Sequence, residues 1–289
     1  MAAMVWALAL PAPASPISYP DILARPRPKP TQHITYGPAA DQFGELWLPI
    51  GAGRHPVVVL IHGGCWMSSL PGLELMDYAA EDLRRRGFAV WNLEYRRLGD
   101  GGGYPMTFQD VAQGVDLLRS LAAHYPLDLK HVVLVGHSAG GQLALWAAAR
   151  RRLPHGSRLA GGDPLPVEGV ITLAGINDLL TYQRMGADTC GGPATINALI
   201  DPQHRPGVDV LGDTSPAALL PIGTVQTVVS GALDLIVPPV FGADYAAKAR
   251  KAGDKVDEVV IHDAGHFDLI DPLSDAWKRV EPLIDQRTQ

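Results

Sequence analysis

The run Gly136-His137-Ser138-Ala139-Gly140 sets a serine at the centre of a Gly-x-Ser-x-Gly pattern. The strand-like stretch Val132–Val135 lies directly before it and the helical stretch Ala139–Arg151 directly after. A chain that passes from strand to helix so abruptly forces its central residue into a strained backbone conformation. Glycines two before and two after remove the Cβ atoms that would collide there. The Ser138 hydroxyl is then raised at the C-terminal edge of a sheet. The amide of Ala139 and a helix N-terminus stand behind it, where negative charge on a substrate oxygen is favoured. Attack on a carbonyl carbon is the chemistry this suits, and it requires a base. A serine that only caps a helix is the simpler alternative, but strand, turn and glycines together outweigh it.

The elements that must hold this serine alternate along the chain. Strand-like pieces at Thr31–Tyr36 and Phe43–Leu48 precede Val57–Ile61, a continuous β-branched run of the kind buried on both faces. Helical signals at Leu75–Arg86, Phe108–His124, Phe241–Ala252 and Pro272–Arg287 are interleaved with strands at Phe88–Leu93, Gly169–Ala174, Thr224–Ser230 and Val256–Ile261. This predicts a mainly parallel sheet of about eight strands covered by helices on both faces. Asp178 to Pro221 breaks the rhythm; it is rich in Gly, Pro and Asp and is expected to form a small cap, inserted at about 179–221. Residues 31–289 then form a single domain, and residues 1–30, proline-rich from residue 11, an extended leader or signal remnant.

His62-Gly63-Gly64-Cys65-Trp66 follows the run Val57–Ile61 directly. With this loop, the Gly-His-Ser-Ala-Gly-Gly elbow and the later Gly265-His266-Phe267-Asp268, the chain from about Tyr36 onward resembles the α/β-hydrolase superfamily. The likeness is nearest to its kynurenine formamidase-like and carboxylesterase branch. The resemblance implies an α/β-hydrolase fold and an oxyanion hole made by the backbone amides of Gly64, Cys65 and Ala139, with Gly63 as a further contributor. The departure is Cys65, where related esterases often carry glycine or an aromatic residue; an amide donor needs no particular side chain. His62 is expected to hold the loop through its ring nitrogens. Gly63, Trp66, His137 and Phe267 are expected around the substrate pocket, with Trp66 either bordering it or packing under the loop.

In this fold the triad runs serine, acid, histidine. Of the ten histidines, His266 follows the last strand, and Gly265 beside it lets the loop bend. Asp234 ends the preceding strand within Gly-x-x-Asp-x-x-Val-Pro, the form the family shows at its acid. Asp178 is the alternative acid. The implied activity is hydrolysis of small to medium carboxylic esters through an acyl-enzyme on Ser138. Hydrolysis of N-formyl arylamines is the second reading, and a non-catalytic ligand-binding protein on the same fold the third. A structural Arg96–Asp110 pair is also expected.

Composition limits the rest. With 289 residues, 47% hydrophobic and 19% charged, one large core is affordable; with a net charge of −6 and no basic block, nucleic acid is an improbable partner. No metal-ligand spacing appears, and the chemistry implies no cofactor. Two cysteines, Cys65 and Cys190, are too few for a disulfide framework, and such sparse usage favours free thiols over one disulfide. The apolar start, Met1–Leu10, reads either as a signal-peptide remnant, implying secretion or a periplasmic location, or as an extension packed on a cytoplasmic domain. No later stretch approaches a membrane span. The oligomeric state is left open between monomer and homodimer.

Overall fold

The computed structural model describes residues 16–186 and 188–287; the apolar start of the chain lies outside them. Eight strands form one sheet: β1 (Gln32–Thr35), β2 (Phe43–Trp47), β3 (His55–Ile61), β4 (Ala89–Leu93), β5 (Leu127–His137), β6 (Gly169–Leu173), β7 (Val225–Gly231) and β8 (Val256–Ile261). Their spatial order is β1-β2-β4-β3-β5-β6-β7-β8. The pairs β1–β2 and β2–β4 are antiparallel and all later neighbours parallel. This is the mainly parallel sheet expected from the alternation of elements, in the α/β-hydrolase fold that the resemblance implied.

The helices are α1 (Tyr19–Leu23), α2 (Asp77–Arg85), α3 (Met106–Asp116), α4 (Leu118–Leu121), α5 (Ala139–Ala148), α6 (Leu179–Met185), α7 (Gly192–Ile200), α8 (Pro239–Ala252) and α9 (Trp277–Asp285). Val57–Ile61 and Val132–Val135 are fully buried, which is why both read as unbroken apolar runs rather than alternating ones. The edge strand β8 instead exposes Asp257 and Glu258, charges that discourage pairing with another chain. Among the described residues, no helix is long and apolar enough to cross a membrane.

Three sequence expectations differ in detail. Residues 16–30 are not wholly extended: Ser18 and Asp21 close a capping box on α1, and Ile22 is fully buried. The segment 179–221 is not loop alone, since α6 and α7 lie within it; both are too short to give a clear apolar period. Helix α9 begins at Trp277, later than expected, where the Ser274 hydroxyl accepts the Trp277 N–H at 2.9 Å.

Candidate active site

Ser138 sits between β5 and α5 with φ 54° and ψ −120°, a conformation unusual for a residue with a Cβ. Its amide donates to Leu173 O at 2.9 Å, and its carbonyl accepts from Gly141 and Ile176 at 2.9 and 3.1 Å. The glycines around it are required for space. A Cβ at Gly136 would stand 2.1 Å from Gly140 O, and one at Gly140 would stand 2.0 Å from Ile61 O. The elbow is therefore pressed against the end of β3, where the His62-Gly63-Gly64 loop begins.

That loop is held from beneath. His62 is fully buried, with Nε2 2.8 Å from Glu94 Oε1 and Nδ1 2.8 Å from Gly63 O, so both ring nitrogens face oxygen acceptors. Glu94 also accepts the amides of Tyr95 and Leu73, at 2.9 and 3.2 Å. Burial penalises its charge, but His62, Arg97 and these hydrogen bonds outweigh that and hold its carboxyl below the ordinary value. Arg96 and Asp110 form the expected pair, with two side-chain hydrogen bonds of 2.7 Å.

Gly64, Cys65 and Trp66 have φ of 97°, 51° and 58°, a run of left-handed residues that turns the backbone sharply. Among the described residues, the amides of Gly64 and Cys65 donate to no backbone or side-chain acceptor. Ala139 is the first residue of α5, where an N–H has no partner within the helix. Among the described residues these three amides have no acceptor, and Gly64 and Cys65, unlike Ala139, line the same cavity as Ser138.

The base candidate is tied to its acid. His266 Nδ1 lies 2.7 Å from Asp234 Oδ2, and Asp234 Oδ1 accepts the amides of Ile236 and Val237 at 2.8 and 2.9 Å. The carboxylate is buried and can only accept, so Nδ1 carries the hydrogen and Nε2 is left as the basic nitrogen. Asp178 is engaged elsewhere: it caps α6 through the amides of Leu180 and Thr181 and pairs with Lys248 at 2.7 Å. Burial opposes its ionisation, yet these partners prevail and its pKa is lowered. Asp263 pairs with Arg279, and Asp268 accepts the Gly265 amide at 2.8 Å.

Ser138 and His266 line one cavity of about 130 Å³, together with Gly64, Cys65, His137, Phe267, Leu70, Pro71, Leu75, Ile236, Thr189 and Tyr19. No hydrogen bond joins the Ser138 hydroxyl to His266 here, a link that commonly tightens only with substrate in place. A larger cleft of about 670 Å³ runs past Tyr104, Arg205 and Asp213, but it contains neither Ser138 nor His266. The candidate nucleophile and base, not size, single out the smaller cavity. Among the described residues no group of His, Cys, Asp and Glu side chains is arranged to hold a metal ion.

Of the four residues expected around the pocket, His137 and Phe267 line it. His137 is fully buried, its Nε2 donates to His266 O at 3.1 Å, and burial pushes its pKa well below the ordinary histidine value. Trp66 does not border the cavity. Its left-handed backbone turns the indole under the loop, fully buried, with Nε1 donating to Gln142 at 3.1 Å. Gly63 is spent on close packing: a Cβ there would stand 3.0 Å from both His137 Nδ1 and Ser138 Cβ. Gly265 is needed for space rather than for a left-handed bend, since a Cβ would come within 2.4 Å of Pro16 Cβ.

The preference for free thiols is overturned. Cys65 and Cys190 are bonded, because the fold brings residues 125 apart to a Cα separation of 5.2 Å. Tyr19 and Thr189 are pocket residues that the sequence did not point to. Neither belongs to a motif, and only the path of the chain brings them there.

Comparison with known proteins agrees with this architecture. The chain is 24% identical to a probable isoprenylcysteine alpha-carbonyl methylesterase of Oryza sativa subsp. japonica, over 83% of its own length and 58% of the relative's, so it spans less than two thirds of that protein. Its fold is similar to a truncated carbohydrate esterase from gut microbiota, with a TM-score of 0.72 and 20% identity over 89% of this chain and 95% of that one. It is also similar to esterase B from Lactobacillus Rhamnosis, with a TM-score of 0.75 and 16% identity over 93% and 90% of the two chains. The BD-FAE family model matches residues 45–244, a stretch that runs from β2 through the elbow to the acid candidate and into α8, and the chain belongs to that family.

Proposed function

We propose that the protein hydrolyses small carboxylic esters through an acyl-enzyme on Ser138. His266 serves as base and Asp234 as the acid that orients it. The observation that carries this reading is the meeting of a strained serine and a carboxylate-bound imidazole on one cavity wall, beside unpartnered amides. The methylesterase relative and the two esterase folds support an ester rather than an amide substrate.

His266 Nε2 takes the Ser138 proton as the oxygen attacks the carbonyl carbon, because a neutral hydroxyl is a weak nucleophile. Asp234 stabilises the imidazolium that results and fixes its tautomer. The amides of Gly64, Cys65 and Ala139 receive the developing oxyanion, each worth about 3 kcal/mol in the transition state. The imidazolium then returns the proton to the leaving alkoxide, and water releases the acid by the same sequence of steps. The cavity, at about 130 Å³, is smaller than the ~300–1,000 Å³ of pockets that hold drug-sized ligands. That suits a short acyl group.

The test is a panel of p-nitrophenyl esters from acetate to decanoate beside N-formylkynurenine, run on wild type and Ser138→Ala. The expected outcome is Ser138-dependent cleavage that falls with chain length. Rapid formamide cleavage with negligible ester turnover would replace the esterase with an arylformamidase. A wild-type protein that no fluorophosphonate labels would instead indicate a binding protein.

A further inference from the structure

We infer that Tyr19, carried by the N-terminal arm, determines the size of the ester group that the site accepts; this rests on the esterase reading above. Tyr19 lies outside the residues 45–244 matched by the family, yet its side chain lines the cavity with Ser138 and His266. Its ring meets Phe267 edge-on, with centroids 5.8 Å apart. Phe267 is the residue next to the base candidate, so Tyr19 completes an aromatic corner against the His266 loop.

The arm is built to stay there. Ser18 binds the Asp21 carboxylate through its amide and hydroxyl at 2.8 and 2.6 Å, which starts α1 and sets the direction of Tyr19. Ile22, one turn on, is fully buried. Arg25 pairs with Asp271 at 2.8 Å, and its carbonyl accepts the Tyr78 hydroxyl at 2.9 Å. Arg27 continues the attachment through Asp77. At the other end Pro16 fills the space left by the missing side chain of Gly265. The arm is thus fastened both to α2 and to the chain on either side of His266.

Tyr19 reaches the cavity from a segment that bears none of the reacting groups. Wall size can therefore change without disturbing nucleophile, base, acid or amides. A half-buried aromatic wall sharing the cavity with Leu70, Pro71, Leu75 and Ile236 excludes long or branched groups by steric overlap.

The experiment compares wild type, Tyr19→Ala and Tyr19→Phe in kcat/KM on two series. One lengthens the acyl group of p-nitrophenyl esters, and the other enlarges the alcohol of acetate esters. Fluorophosphonate labelling of Ser138 is measured in each variant as a report of an intact nucleophile. Tyr19→Ala is expected to raise the ratio of long to short substrates in one series by about ten-fold or more, ten-fold being the low end of what one methylene is worth in an apolar pocket. Tyr19→Phe keeps the wild-type profile. Unchanged ratios in both series, in a Tyr19→Ala protein that still labels, would overturn the inference while leaving the esterase reading intact. If Tyr19→Ala fails to label, Tyr19→Leu is read in its place by the same criterion. A wild-type protein that labels but cleaves no ester would refute the esterase reading and this inference with it.

Discussion

Cys65 is bonded to Cys190 across 125 residues of sequence. One partner belongs to the loop that lines the cavity, and the other closes the turn before α7 in the inserted segment. The bond therefore joins one wall of the candidate oxyanion site to the structure above it. It also fixes a residue whose backbone is left-handed, with φ 51°, and which would gain freedom if released.

A Cys65→Ser, Cys190→Ser double variant is expected to lose about 2–5 kcal/mol of stability, the range for a bond closing a long loop. Denaturant unfolding measures it. A dithiol reductant should lower wild-type stability similarly and leave the double variant unaffected. Equal unfolding midpoints for the two proteins would contradict a stabilising bond.

Asp234 and Asp178 both follow core strands, and substitution separates their roles. Asp234→Asn should reduce kcat by roughly 10⁴-fold, because the wrong His266 tautomer is then favoured. Asp178→Asn should leave kcat near wild type while weakening the cap of α6 by about 1 kcal/mol or less. A larger kcat loss in the second variant would reverse the assignment.

Glu94 gives the protein an acid-sensitive support. Its pKa is lower folded than unfolded, so the folded state binds the proton less tightly. Its contribution is fully present above about pH 4.5, the ordinary value, and is lost as pH falls through the lower folded value. Glu94→Gln should flatten this limb of a stability-against-pH curve. It should also cost about 1–3 kcal/mol at neutral pH, because a neutral amide replaces the carboxylate that accepts from His62 and from the amides of Tyr95 and Leu73.

The elbow glycines predict a sharp contrast. Gly140→Ala would push a Cβ to 2.0 Å from a backbone oxygen of β3 that cannot yield, so soluble yield or labelling of Ser138 should collapse. Gly156→Ala meets nothing within 4 Å and should change stability by about 0.5 kcal/mol or less. Equal behaviour of the two variants in thermal unfolding would refute the packing argument.

Much of this was legible in the sequence because it is local. Val57–Ile61, the Gly-x-Ser-x-Gly turn and the helix after it each announce themselves within a dozen residues, since period, glycine spacing and apolar runs respond to near neighbours. His62 and the Arg96–Asp110 pair could also be anticipated, as each lies beside a recognisable loop. Other features depended on distance in the chain. The Cys65–Cys190 bond, the fastening of Tyr19 beside Phe267 and the turning of Trp66 away from the cavity all follow from where the sheet carries remote segments. Local pattern records which side a residue hides. Only the closed fold, by burying one surface against another, determines what it hides against.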